Sequence, residues 1–251
     1  MTFKLAITGK GGSGKTTVVK SFFRIFRELY PEKSILLFDN DLSGELGHSF
    51  GLDVRNTIYG IRSGKHEYKT GIPDDMTKQE YIEWALEDIL VPIEENTDLI
   101  VSWFVGSKDC RCPITGQLNY ALKKLINRYD IVIFDCEFDL KYLNQLVDTD
   151  IDSTLIVANP AEDSVNLARR IQEFSEKYSA GNQLGVILNK VENNDRESLY
   201  NMLNLYELKV LGVIPLDAEL QNNPLERESE AVKESIKNFY SRINIPQGKL
   251  D

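Results

Sequence analysis

The sequence predicts a single three-layer α/β domain, with a mostly parallel central sheet of about seven or eight strands and helices on both faces. Short apolar runs alternate along the chain with longer amphipathic stretches, which is the pattern of repeated βα units around a parallel sheet. Several apolar runs, such as residues 131–134 (Ile-Val-Ile-Phe), lack polar alternation, and this is typical of strands that helices cover on both faces. The 251 residues suffice for one large domain, and we assign the whole chain, 1–251, to it.

The apolar runs and the amphipathic stretches define the individual elements. The runs predict strands at Phe3–Thr8, Ser34–Asp39, Leu99–Phe104, Ile131–Asp135, Ser153–Ala158, Gln183–Leu188 and Lys209–Ile214. The amphipathic stretches predict helices at Lys15–Tyr30, Lys78–Leu90, Gly116–Arg128, Ala161–Tyr178 and Arg196–Tyr206. A packed terminal helix would place Val232, Ile236, Phe239, Tyr240 and Ile243 on one stripe. Residues 55–98 are the least regular stretch, and we interpret them as an insertion within the domain.

Composition and charge exclude several classes of protein. Apolar residues make up 42% of the chain and charged residues 27%, which is ordinary for a globular protein. The formal net charge of −10 argues against a nucleic-acid partner and against stable membrane association, since both need a cationic face. The chain runs from Met1 directly into a strand pattern, and its three cysteines do not form a disulfide framework. We therefore expect a cytoplasmic protein.

A phosphate-binding loop is predicted between the first strand and the first helix. Residues 9–17 read Gly-Lys-Gly-Gly-Ser-Gly-Lys-Thr-Thr and complete the pattern G-x-x-x-x-G-K-[ST] in the required strand-to-helix context. Backbone N–H groups of Gly11, Gly12, Ser13 and Gly14 would surround phosphate, and the helix N-terminus adds partial positive charge. Lys15 would reach the β- and γ-phosphates, the Thr16 hydroxyl would bind Mg²⁺, and Thr17 would contact the α-phosphate.

Carboxylates follow two of the predicted strands. Asp39 and Asp41 come after residues 35–38, and Asp135 follows residues 131–134. The carboxyl ends of parallel strands beside a phosphate loop are where Mg²⁺ and water must be held. An Asp after a strand is also common as a helix N-cap or turn residue, and this alternative stays open for all three.

Lys10 adds a further clue. With it, the loop resembles the deviant Walker A pattern K-G-G-x-G-K-T of the MinD/ParA/nitrogenase-iron-protein class of P-loop NTPases. The resemblance implies an ATPase that forms a homodimer, in which Lys10 reaches the nucleotide of the partner subunit. It also implies that Asp41 orients the attacking water, that Asp39 supports the Mg²⁺ shell and that Asp135 is the Walker B carboxylate.

The same resemblance assigns a base pocket. Asn189 and Lys190 follow a predicted strand and form the N-[KR] pair whose Asn recognises the adenine edge in this class, and Pro215 belongs to the I-P-x-D loop that packs on the base.

The sequence departs from the class at Leu42, where Pro is usual, and over residues 136–139, where Gly is common. Both departures lie next to the predicted carboxylates Asp41 and Asp135, so they bear on the geometry of these groups and on the rate of hydrolysis.

Cys110 and Cys112 form a Cys-x-Cys pair. On an extended chain residues i and i+2 face the same side, so both thiolates can approach one soft ion. A twofold dimer would supply four thiolates, two from each chain. A buried pair of small apolar residues and a redox dithiol are the alternatives. Tetrathiolate ligation suits Zn²⁺ when tetrahedral and Ni²⁺ when square-planar.

The position of this pair extends the resemblance to one subgroup. A Cys-x-Cys followed by Pro113, together with the run Asp135-Cys136-Glu137, is similar to the CooC-type nickel-insertion accessory ATPases of carbon monoxide dehydrogenase, over about residues 3–243. This resemblance implies an ATP-dependent metallochaperone that binds Ni²⁺ or Zn²⁺ across the dimer interface. Its client would be a nickel metalloenzyme such as carbon monoxide dehydrogenase or acetyl-CoA synthase.

Two other functions stay open. An iron–sulfur electron-transfer ATPase like the nitrogenase iron protein needs two well-separated cysteines, and Cys136 stands in the wrong place relative to Asp135, where a core thiol is expected. A positioning ATPase of the ParA/MinD kind is disfavoured by the acidity of the chain.

Overall fold

The computed structural model describes residues 1–41, 44–63, 71–102, 114–137, 151–178, 183–192, 206–217, 229–243, 245 and 249–250. Eight strands in this part of the chain form one sheet in the order β3-β4-β2-β5-β1-β6-β7-β8. The strands are β1 Phe3–Gly9, β2 Ile35–Asn40, β3 Val91–Glu94, β4 Thr97–Val101, β5 Ile131–Cys136, β6 Ser153–Ala158, β7 Gln183–Val191 and β8 Val210–Pro215. Every neighbouring pair is parallel except β3 with β4. The predicted single α/β domain with a mostly parallel sheet is confirmed.

Helices cover both faces of the sheet. They are α1 Lys15–Leu29, α2 Glu45–Ser49, α3 Ile58–Ser63, α4 Lys78–Asp88, α5 Ile114–Ile126, α6 Glu162–Tyr178 and α7 Glu230–Tyr240. One apolar cluster joins the sheet to α1, α2 and α7, and a second joins its other face to α3, α4, α5 and α6. The buried residues of β2 divide between the clusters, with Ile35 and Leu37 in the first and Leu36 and Phe38 in the second. This alternation follows from the two-residue period of a strand.

The register brings the functional segments to one edge of the sheet. Strand β1 lies between β5 and β6, so the loop that leaves β1 has a strand end on each side. Asp39 at the end of β2 is the direct register partner of Asp135 on β5. Because parallel strands place their carboxyl ends at the same edge, residues far apart in sequence meet there.

The structure differs from the sequence predictions mainly at short elements. Strand β3 was missed because it is a four-residue antiparallel edge strand containing Pro92, which pattern analysis disfavours in a strand. Strand β4 begins at Thr97, two residues before the predicted start, and β7 runs on past Leu188 to Val191. The helices α2 and α3 are too short to show an amphipathic period.

Residues 55–98 contribute to the core where they are described. Ile58 and Ile61 of α3, and Ile82 and Leu86 of α4, are buried in the second cluster. Helix α4 begins with a capping box, in which Thr77 accepts from the backbone N–H of Glu80 and the Glu80 side chain accepts from that of Thr77. Most of the helix predicted at Arg196–Tyr206 lies outside the described residues. Among the helices that the structure describes, none has the length and apolar character needed to cross a bilayer.

Candidate nucleotide-binding site

The phosphate loop connects β1 to α1 with a backbone that requires glycine. Gly12 and Gly14 have φ angles of 77° and 92°, in the left-handed region that L-residues avoid. A Cβ on Gly9 would lie 2.1 Å from the Val157 carbonyl oxygen of β6, so any side chain there would collide with backbone. The chain therefore turns tightly against the neighbouring strand before it enters α1, and a glycine-rich turn into a helix N-terminus is the arrangement in which backbone N–H groups bind phosphate.

The functional side chains at the start of α1 already have partners within the protein. Lys15 is almost fully buried, with Nζ 3.5 Å from the Lys10 carbonyl oxygen and 3.7 Å from Asp41 Oδ2. The Thr16 hydroxyl donates to Asp135 Oδ2 at 2.7 Å. The structure thus brings together the predicted phosphate lysine, the predicted Mg²⁺ hydroxyl and two of the predicted carboxylates.

Asp39 and Asp135 are fully buried side by side. Burial raises the pKa of Asp39 to about 8, with the Asp135 charge as the next contribution, against the backbone hydrogen bonds that it accepts. Burial also raises the pKa of Asp135 to about 7, against the lowering effects of the Thr16 hydrogen bond and the Lys15 charge. A cation placed between these carboxylates and a phosphate would relieve an unfavourable accumulation of negative charge.

The two carboxylates have different surroundings. Asp39 accepts from the backbone N–H of Asp41 at 3.0 Å and of Leu46 at 3.1 Å, so its oxygens hold the turn into α2. Asp135 Oδ1 is buried and has no hydrogen-bond partner among the described residues. An orphaned carboxylate oxygen beside the Thr16 hydroxyl fits the water shell of Mg²⁺, which prefers oxygen ligands and keeps several waters.

The opposite side of the cavity is formed by the ends of β7 and β8. Asn189 is buried, donates from Nδ2 to the Ser13 carbonyl oxygen at 2.9 Å and accepts at Oδ1 from the backbone N–H of Lys190 at 2.9 Å. Lys190 has a φ of 62° and donates from Nζ to the Gly12 carbonyl oxygen at 3.0 Å. The predicted base-pocket pair therefore contacts the phosphate loop itself, while the adenine role of Asn189 stays a prediction.

A cavity of about 540 Å³ lies between the start of α1 and the ends of β7 and β8. Its lining includes Lys15, Thr16, Thr17, Asn189, Lys190 and Pro215, all of which the sequence assigned to the nucleotide. This volume falls in the usual range of small-molecule sites, and the lining has a phosphate end and a partly apolar base end. The arrangement can hold a nucleoside triphosphate across the N-terminus of α1.

Sequence analysis missed the part of the cavity that α2 forms. Lys20 on the second turn of α1 is buried, donates to the Ser49 carbonyl oxygen at 2.7 Å and lies 5.5 Å from the centre of the Phe50 ring. Burial lowers the pKa of Lys20 to about 8, with a smaller contribution from the charge of Arg24. A lysine on the apolar stripe of α1, five residues after Lys15, is the signal that could have indicated it.

The predicted metal ligands Cys110 and Cys112, like Leu42 and residues 138–139, lie outside the described residues. Cys136 is buried at the end of β5, and burial raises the pKa of its thiol, as expected for a core cysteine. Within the part of the chain that the structure describes, no group of three or more His, Cys, Asp or Glu side chains is arranged to hold a metal ion.

Comparison with known proteins identifies related sequences. Residues 4–230 match the family described as the CobQ/CobB/MinD/ParA nucleotide binding domain. An uncharacterized ATP-binding protein of Methanocaldococcus jannaschii is 31% identical to the chain, and the match covers 94% of this chain and 96% of that protein.

Solved structures show the same fold. A ParA family ATPase from Chlorobium tepidum superposes with a TM-score of 0.68 at 17% identity, covering 96% of this chain and 99% of that one. The septum site-determining protein MinD of Pyrococcus horikoshii, solved as a complex with Mg-ADP, superposes with a TM-score of 0.64 at 21% identity and covers 96% of both chains. At these identities the likeness shows the fold.

Proposed function

Because the chain belongs to the CobQ/CobB/MinD/ParA nucleotide-binding family, we propose that it binds Mg²⁺–ATP in the cavity at the N-terminus of α1 and hydrolyses it. One observation carries this proposal. The Thr16 hydroxyl donates to a carboxylate of Asp135 whose second oxygen is buried without a partner among the described residues. A buried carboxylate oxygen without a partner is unfavourable, and a hydrated cation beside it would supply the missing interactions.

Each residue then has a chemical task. Thr16, with Asp135 behind it, would hold Mg²⁺, which neutralises charge on the β- and γ-phosphates. Lys15 would leave Asp41 and bind phosphate oxygens, and Asp41 would orient the attacking water. Backbone N–H groups of the loop would surround the phosphates.

The test is Mg²⁺-dependent ATP hydrolysis by the purified protein and by an Asp135→Asn variant. We expect slow turnover that EDTA abolishes, and a loss of about 100-fold or more in the variant. Asp130→Asn is the matched control. Asp130 directly precedes β5 at the end opposite to Asp135, and its carboxylate accepts hydrogen bonds from the backbone N–H and the hydroxyl of Ser34. Absence of turnover in the unmodified protein, or full turnover in Asp135→Asn, would contradict the proposal.

We further propose a cargo: a metal ion, most simply Ni²⁺ or Zn²⁺, held by Cys110 and Cys112 across a homodimer and delivered to a client metalloenzyme. The Cys-x-Cys spacing and the position of the pair in the sequence, eight residues after Ser102, support this proposal. ATP binding and metal binding at one dimer interface would be energetically coupled. Hydrolysis would reopen the dimer and release the ion.

The metal proposal has its own experiment. Elemental analysis with light scattering should find about one metal ion per ATP-bound dimer, lost in the double variant Cys110→Ser, Cys112→Ser and kept in Cys136→Ser. Retained metal in the double variant would overturn it. Bound iron, with a brown colour and absorption near about 400 nm, would instead favour an electron-transfer ATPase. Binding to DNA or liposomes would favour a positioning ATPase.

A further inference from the structure

Ser102 is a fully buried serine that directly follows β4, beside the strand end that carries the predicted catalytic carboxylate. Its hydroxyl donates to Asn40 Oδ1 at 2.6 Å, and its backbone N–H donates to the Asp39 carbonyl oxygen at 2.8 Å. Its own carbonyl oxygen accepts from the backbone N–H of Tyr59 in α3 at 3.0 Å. One residue therefore connects the end of β2 to the first turn of α3.

The contact with Asn40 lies on the face of the sheet opposite to the phosphate loop, because Asp39 pairs with Val101 in the register and the next residues, Asn40 and Ser102, share a face. Leu37 of β2 packs in the apolar cluster of α1, whereas Phe38 packs in the cluster of α4 and α5. Alternation along the strand places the Asp39 side chain on the α1 face, with the phosphate loop, and Asn40 on the opposite face. Ser102 therefore contacts this strand end from the face opposite to the one that carries Asp39.

This strand end sets the position of Asp41. The backbone N–H of Asp41 donates to Asp39 Oδ1 at 3.0 Å, and Asp41 Oδ2 lies 3.7 Å from Lys15 Nζ. Asn40 is the residue between these two aspartates. A displacement of Asn40 by a fraction of an ångström would therefore be transmitted to the carboxylate assigned to the attacking water.

We propose that Ser102 is a positioning residue for ATP hydrolysis, which acts through Asn40 to hold Asp41 in place. The inference rests on the hydrolytic function proposed above. It predicts that loss of the hydroxyl affects the chemical step more than nucleotide binding, because the phosphate loop keeps its own contacts. Positioning groups distant from the reacting atoms commonly control rate in this way.

The experiment is a double-mutant cycle of Ser102→Ala and Asn40→Ala, read by kcat and by ATP affinity in single and double variants. We expect kcat to fall about fivefold to tenfold in each single variant, with ATP affinity within about twofold of the unmodified protein. The double variant should be no slower than the worse single variant, because both substitutions break one contact.

Ser34→Ala is the matched control. Ser34 precedes β2 at the end opposite to Asn40. Its hydroxyl donates to Asp130 Oδ2 at 2.9 Å and accepts from the backbone N–H of Asp130 at 3.0 Å, so the substitution removes side-chain hydrogen bonds of β2 far from the cavity. Its kcat should stay within about twofold of the unmodified protein, even if its melting temperature falls.

Three results would overturn the inference. They are an unchanged kcat in folded Ser102→Ala, equal losses of kcat and ATP affinity in that variant, and multiplicative losses of kcat in the double variant. Absence of ATP turnover in the unmodified protein would overturn the proposed function and this inference with it. Turnover that Asp135→Asn abolishes but Ser102→Ala leaves intact would remove the inference alone.

Discussion

The Lys10 ammonium forms an ion pair with the carboxylate of Asp163 near the start of α6. The hydrogen bond from Lys10 lowers the pKa of Asp163, which favours the charged form of this carboxylate. Both side chains are largely exposed, and such pairs are weak because water and salt screen them. The first lysine of the phosphate loop is therefore held within its own chain by a contact that a phosphate could replace.

Lys10→Ala and Asp163→Asn should have opposite effects on ATP-driven dimerisation. Lys10→Ala removes the cation that would reach the nucleotide of the partner subunit, so ATP should no longer produce dimers, although monomers still bind ATP. Asp163→Asn removes the competing carboxylate, so half-dimerisation should occur at about threefold lower protein concentration. Light scattering with ATP and with ADP measures both effects.

Salt provides the internal control for this pair. The difference between Asp163→Asn and the unmodified protein should shrink as ionic strength rises, because the exposed pair is screened. Equal dimerisation of Lys10→Ala and the unmodified protein would show that Lys10 does not act across an interface.

Asp41→Asn should change ATP affinity and turnover in opposite directions. Asp41 Oδ2 lies 3.7 Å from Lys15 Nζ. The carboxylate would therefore compete with phosphate for the lysine, and its negative charge would repel the phosphate. We expect ATP to bind about threefold to tenfold more tightly, while kcat falls by about 100-fold because the group proposed to orient the attacking water is lost. Calorimetry and phosphate release measure these quantities.

Lys15→Ala is the reference variant for that prediction. It should weaken ATP binding by about 100-fold, since it removes a charge-assisted contact to the phosphates. Tight ATP binding by Lys15→Ala would contradict the phosphate-loop assignment, and weaker binding by Asp41→Asn would show that Asp41 supports the nucleotide instead of competing with it.

Local patterns predicted those parts of the site that are contiguous in sequence or that lie at the ends of parallel strands. The loop at 9–17 is a short motif between a strand and a helix, and the pairing of Asp39 with Asp135 follows once both strands are parallel. Contacts that depend on strand order could not be predicted. Asn189 bonds Ser13 across 176 residues of sequence, and Lys10 bonds Asp163 across 153.

The pH dependence of stability should reveal the buried Lys20. Its pKa is lowered to about 8 from an ordinary value of 10.5, mainly by burial, so the folded protein binds fewer protons than the unfolded chain between these values. Below pH 8 the charged amine is penalised in the folded state, and the penalty is relieved as pH rises towards 10. The melting temperature of the unmodified protein should therefore rise by about 3 °C relative to Lys20→Met between pH 7 and 9.5.

Comparison with the variant cancels titration elsewhere in the chain. Arg24 on the same helix contributes to this lowering, and the titratable side chains of Lys15, Glu45 and His48 line the same cavity as Lys20. Lys124→Met is the control, because Lys124 is an exposed lysine paired with Glu83 on the surface. A constant difference in melting temperature between the unmodified protein and Lys20→Met across this pH range would contradict the prediction.

Asn189→Ala should weaken binding of the phosphate chain as well as of the base. The Asn189 amide donates to the Ser13 carbonyl oxygen, and a Cβ added to Gly14 would lie 2.2 Å from Asn189 Nδ2, so this side chain packs directly on the loop. Its removal frees a segment that must be ordered to present N–H groups to phosphate. We expect about tenfold weaker binding of ATP and a similar loss for tripolyphosphate, which has no base.

Three ligands, ATP, GTP and tripolyphosphate, separate the possible roles of Asn189. An amide that only recognised adenine would lower the affinity for ATP, abolish discrimination between ATP and GTP, and leave tripolyphosphate unaffected. If the amide only supports the loop, its loss would lower all three affinities by the same factor, because the contact with Ser13 does not involve the base. Calorimetric titration of Asn189→Ala with ATP, GTP and tripolyphosphate decides between them, and an unchanged affinity for tripolyphosphate would contradict the loop-supporting role.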